Sequence, residues 1–106
     1  MPKQITVNGK QIEVPKHKVL VWRKFMEFQE EKKDMKIVPA LDKMCDLIVL
    51  LLGQNSPVKT GEALLTIVDA EDIIPLYNDA FDAINNQLVE KMQQVPPEPA
   101  DQKGQN

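Results

Sequence analysis

The 106-residue sequence contains one cysteine, one histidine, four glycines and five aromatic side chains, and each shortage removes a class of function. A lone Cys45 excludes an internal disulfide and any metal site built on paired cysteines. It falls on the apolar face of a helical pattern, so it reads as a small buried hydrophobe rather than a nucleophile. His17 stands at the start of a helical stretch, with no base partner or second ligand beside it in the sequence, and reads as a surface residue. The glycines build no phosphate-cradling loop, and neither a nucleophile elbow nor a metal-ligand cluster is present. Asp69, Glu71 and Asp72 sit close together, but they lack the alternating oxygen ligands and turn glycine of a calcium loop and read as helix caps. The expectation is therefore a protein that is not an enzyme and uses no cofactor and no metal.

Long hydrophobic runs are missing as well. A membrane span takes roughly 20 apolar residues, and the greasiest stretch, Leu47 to Leu52, is cut off by Asp46 on one side and Gly53 on the other. The first residues, Met1-Pro2-Lys3-Gln4, carry no apolar leader core, so no secretory signal, no membrane partner and a cytoplasmic location are expected. Positive charge is not in excess either: the net charge is −3, and phosphate binding needs a dense basic surface, which argues against a nucleic-acid partner. The charge is nevertheless lopsided. Residues 1–36 hold nine Lys/Arg against five Asp/Glu, whereas residues 60–92 hold one Lys against seven Asp/Glu. Such a dipolar chain is suited to self-association, basic part against acidic part.

What is present is a set of local patterns. At 106 residues the chain is one domain. Gln4 to Val14 alternates apolar and polar residues around Asn8-Gly9, a strong signal for a two-residue hairpin turn. That register pairs Val7 with Lys10, Ile5 with Ile12 and Lys3 with Val14, and puts Ile5, Val7, Ile12 and Val14 on one face. A lone hairpin is marginal in water, so this face must lie on something. After Pro15 a helix is predicted over about His17 to Asp34, with Val21, Trp22, Phe25 and Phe28 as its apolar stripe. Pro39 is read as the opening of a central helix in which Leu41, Met44, Cys45, Ile48, Leu51 and Leu52 share one face and Gly53 ends the element. From Leu47 on the opposite face is apolar too, which predicts a helix covered all round or against a partner. Thr60 is predicted to cap a short helix over Gly61 to Val68. Asp69 and Asp72 resemble a capping box ahead of a last helix running to about Gln93, with Tyr77, Ala80, Phe81, Ile84 and Leu88 as its stripe. Pro75 either kinks that helix or begins it after a separate turn over Asp69 to Ile74. The fold class expected is mainly α: an N-terminal β-hairpin (4–14) followed by a bundle of three to four helices within residues 1–94, and a proline-rich, polar, flexible tail over 95–106.

The order of these elements, I-T-V-N-G-K-x-I-x-V, then V-W-R-K-F-M-E-F, then L-D-K-M-C-D-L-I-V-L-L-L-G, then E-A-L-L-T-I-V-D-A-E-D-I-I-P-L-Y-N-D-A-F, resembles the small tail assembly chaperones of long-tailed bacteriophages and prophages of Gram-positive hosts. The resemblance covers about residues 4–92 and rests on apolar and capping patterns. It implies binding to the tape measure protein, whose hydrophobic helical segments must stay soluble until tail-tube subunits polymerise around them, and it makes the tail tube protein a further candidate partner. It also implies a longer frameshift product that shares this part of the chain. Such a role calls for an apolar groove that takes a helix, and for no chemistry. Candidate partner-binding residues are Trp22, Phe25, Phe28, Met44, Ile48 and Leu51, with core packing as their alternative role; Met1, Met26, Met35, Met44 and Met92 add adaptable apolar surface. The alternative function is a small structural or adaptor protein that stays in a tail or other complex.

Overall fold

The hairpin signal at Asn8-Gly9 corresponds to two antiparallel strands, β1 (Gln4–Val7) and β2 (Lys10–Glu13), in the computed structural model of the chain, which describes residues 3–94 and their side chains as far as residue 89. Asn8 and Gly9 both take positive φ, 54° and 78°, as a type I′ turn demands. Ile5 faces Ile12 and Val7 faces Lys10, and the Val14 N–H donates to the Lys3 carbonyl at 2.8 Å. Ile5, Val7, Ile12 and Val14 are all buried, because the apolar face of the hairpin enters the helical core and β1 packs on the last helix.

Four helices follow: α1 (Val19–Glu31), α2 (Ile37–Leu52), α3 (Gly61–Leu65) and α4 (Ile73–Gln94). The protein is mainly helical with an N-terminal hairpin. Helix α2 lies at the centre and packs on α1, α3 and α4. Its Ala40, Met44, Cys45, Leu47, Ile48, Leu51 and Leu52 are buried. The all-round apolarity stops short of a free face, since within the Leu47–Leu52 stretch only Leu50 is exposed, at 38%. Of the two ways to cover such a helix, the chain uses its own elements, with α1, α3 and α4 packed on α2. Gly61 makes one side of that cover possible. A Cβ there would stand 2.7 Å from the backbone nitrogen of Asp46, so only a glycine lets α3 approach α2 this closely.

Several boundaries differ from the sequence pattern. Helix α1 begins at Val19, not His17, and its last predicted residues form a 3₁₀ turn, Lys32–Asp34. Helix α2 begins at Ile37, two residues ahead of Pro39, and α4 begins at Ile73, two ahead of Pro75. Each proline therefore occupies the third helical position, where its missing N–H would have had no intrahelical acceptor in any case. Thr60 does cap α3, its hydroxyl accepting from the Ala63 N–H at 3.1 Å, but α3 ends at Leu65 rather than Val68. Asp69 makes no side-chain cap; a 3₁₀ turn, Ala70–Asp72, precedes α4. Among the described residues no helix is long and apolar enough to cross a membrane. The proline-rich segment 95–106 lies outside the described residues.

Candidate functional site

The apolar stripe of α1 divides between two environments. Phe25 and Phe28 are fully buried and meet Tyr77 of α4, Phe25 stacked at 6.0 Å between centroids and Phe28 edge-on at 5.6 Å. Offset and edge-on contacts are the favoured geometries of aromatic rings. The Tyr77 hydroxyl donates to Gln29 Oε1 at 3.1 Å, and burial pushes its pKa up to about 12. Trp22, one turn earlier, is only half-buried, and its indole N–H donates to Asn85 Oδ1 of α4 at 3.2 Å.

This partial exposure has a shape. Trp22 lines an open groove of about 280 Å³ with Val19 from the first turn of α1, Ile84 and Leu88 from α4, and Lys16, His17 and Lys18 from the segment between β2 and α1. Gln87 of α4 completes the lining and fastens that segment. Its side-chain amide donates to the Pro15 carbonyl at 2.9 Å and accepts from the His17 N–H at 3.0 Å. The His17 ring nitrogen Nε2 contacts the Leu51 carbonyl, in the last turn of α2, where the carbonyls lack intrahelical partners. His17, read from the sequence as a surface residue, is in fact half-buried and ties the groove wall to the end of the central helix. The neighbouring Asn55 amide donates to the Glu13 carbonyl at 3.0 Å and holds the end of the hairpin against the same corner.

His17 is half-buried, while Lys16 and Lys18 on either side of it are exposed and line the groove. Lys18 is the N-cap residue of α1 and makes no side-chain cap, and no acidic residue stands in the first turn. Val19 is 65% exposed and Leu20 59%, so apolar surface continues outward from the groove. A second depression lies between α1 and α2, but Lys24, Glu27, Glu31, Lys43 and Asp46 ring it with charges of both signs around Phe28, Leu47 and Leu50. It offers far less apolar surface to a partner.

Of the six residues put forward as partner-binding, Trp22 alone lines the apolar groove. Phe25, Phe28, Ile48 and Leu51 have no exposure at all, and Met44 has 8%. Those five are core residues: the interhelical contacts that build the domain already occupy their apolar area. Lys16, His17, Lys18, Val19, Ile84, Gln87 and Leu88 form the rest of the groove, and the helical stripes of α1 and α4 could have nominated only the apolar ones. Cys45 is buried, and its thiol is pushed up to about 11, first by burial and then by the neighbouring Asp46 and Asp42 carboxylates. It is therefore a neutral thiol at physiological pH. Among the described residues no group of three or more His, Cys, Asp or Glu side chains is arranged to hold a metal ion. Compared with known protein families, curated proteins and solved structures, the chain matches none.

Proposed function

We propose that this chain is a tail assembly chaperone that works in the host cytoplasm, holding apolar helical segments of a tape measure protein in solution until tail-tube subunits enclose them. The observation that carries the reading is the open groove between α1 and α4, floored by Trp22, Ile84 and Leu88 and continued outward by Val19 and Leu20. An open groove lined by apolar side chains from two helices suits the apolar face of an amphipathic helix. The resemblance of the chain's element order to tail assembly chaperones names the partner. Self-association belongs to the same reading and rests on the opposite charge of the two ends of the chain.

The test is co-expression with apolar tape-measure segments. The chain should bind them and raise their soluble fraction, and Trp22→Ala should abolish most of that effect while leaving the helical circular dichroism in place. Failure to bind or solubilise any such segment, with the fold verified as intact, overturns the proposal. Presence of the chain in finished particles would favour the retained adaptor instead.

A further inference from the structure

We infer that the groove selects acidic amphipathic helices: its occupant carries Asp or Glu beside its apolar stripe, and these carboxylates pair with Lys16 and Lys18. This inference rests on the docking role proposed for the groove and adds the chemistry of the partner. Two observations carry it. The first is the asymmetry of the lining. Its charged side chains are Lys16 and Lys18, and none of its described residues is acidic, whereas the depression between α1 and α2 mixes both signs. The second is the way the two lysines are held. Gln87 and the His17–Leu51 contact pin the Pro15–Lys18 segment to α4 and α2, so the cations stand on a fixed strip of backbone. Lys16 and Lys18 both line the groove and are exposed, on either side of the half-buried His17.

Both lysines are exposed, and the ion pair found among the described residues, Arg23 with Glu27, leaves them uncommitted. A helix lying between α1 and α4 would bury its apolar residues on Trp22, Ile84 and Leu88. Its bordering carboxylates would then reach the lysines and the positive end of the α1 dipole together. A neutral apolar helix would fill the same floor and leave the two cations facing water. A basic helix would meet like charge at the mouth.

Trp22 is the only tryptophan of the chain, so its fluorescence reports occupancy of this groove directly. The full chain is titrated with three synthetic amphipathic peptides of about 18 residues, long enough for several helical turns. They share one leucine stripe and differ only in bordering Glu, Gln or Lys. The Glu peptide is expected to bind roughly 3- to 10-fold more tightly than the Gln peptide, the scale of two exposed ion pairs, and the Lys peptide most weakly. The preference should shrink in high salt and vanish in the Lys16→Gln/Lys18→Gln double variant, whose melting midpoint should match that of the parent. Equal binding of all three peptides, or a preference that survives in the double variant, overturns the acidic selectivity and leaves the docking role standing. No response to any peptide overturns the docking role as well. A Trp22 response to anionic lipid vesicles in place of the peptides would overturn the inference in favour of a membrane surface.

Discussion

The two halves of α1 carry the same kind of residue and have different fates. Val19, Leu20 and Trp22 in its first turns are exposed or half-exposed, while Phe25 and Phe28 one and two turns later have no exposure. The difference lies in what stands opposite. Tyr77 of α4 meets Phe25 and Phe28 ring to ring, and α2 closes over the same region. At the other end the facing residues of α4 are Ile84, Asn85, Gln87 and Leu88, and the connection from the hairpin, not another helix, forms the wall. An apolar stripe therefore states only that a helix face avoids water. Whether it becomes core or groove depends on whether a second apolar element of the chain arrives to cover it.

The largest expected effects sit in the covered half and in the central helix it meets. Ile48→Asp puts an unpaired carboxylate where there is no exposure and should prevent folding, a cost of several kcal/mol. Phe28→Ala should lower stability by about 3–5 kcal/mol, read as a fall in the denaturant midpoint. A small loss in Phe28→Ala would dissolve the distinction between the halves. Gly61→Ala tests the cover on the other side of α2. The new methyl would press on the Asp46 backbone, and α3 should detach or shift with a loss of about 1–3 kcal/mol.

The core also answers to alkali. The Cys45 thiol ionises near 9.0 when exposed and near 11 in the fold. Below pH 9 it is neutral in both states and stability is unaffected. From pH 9 to about 11 the unfolded chain releases the proton first, so stability is lost progressively, by of order 2 kcal/mol over that span. Tyr77 adds a second loss between pH 10 and about 12 for the same reason, burial. Thermal melts from pH 7 to 11 should show a fall that begins near pH 9, and Cys45→Ala should move its onset upward. A flat profile to pH 10.5 would mean that the core around Cys45 admits water.

Much of this architecture was legible in the residues, and the exceptions have two causes, the latitude of helix starts and contacts between distant parts of the chain. The hairpin followed from Asn8-Gly9 and strict alternation, because turn geometry and register are local. The central helix followed from the spacing of Leu41, Met44, Cys45, Ile48 and Leu51. The prolines misled because a helix tolerates proline throughout its first turn, so Pro39 and Pro75 mark a neighbourhood for the start rather than the first residue. The groove was not legible. Val19 and Trp22 meet Ile84 and Leu88 only once α1 and α4 are packed, and no periodicity within either helix encodes that meeting. Gln87 carried no local signal at all, since both its partners lie some 70 residues away in sequence. His17 read as a surface residue because its contact, the Leu51 carbonyl, comes from the end of another helix.

The smallest stability effects belong to the uncovered half, and they separate a groove from a poorly packed core most directly. Val19 is 65% exposed and occupies the first position of α1, where serine and valine have similar helix propensities. Val19→Ser removes little buried area, so the folded state should change by no more than about 0.5 kcal/mol. Binding should respond differently. If an apolar partner lies over Val19, Trp22 and Leu88, the substitution puts a hydroxyl under it and should weaken association by about 1 kcal/mol. Trp22→Ala, which also gives up the Asn85 hydrogen bond, should weaken it by about 1–4 kcal/mol while costing less stability than Phe28→Ala. Urea melts and binding titrations on the same Val19→Ser preparation therefore give opposite answers for the two views of this end of α1. A stability loss comparable to that of Phe28→Ala would show that the first turn is packed core after all. Unchanged stability with weakened binding would identify it as the edge of a docking surface.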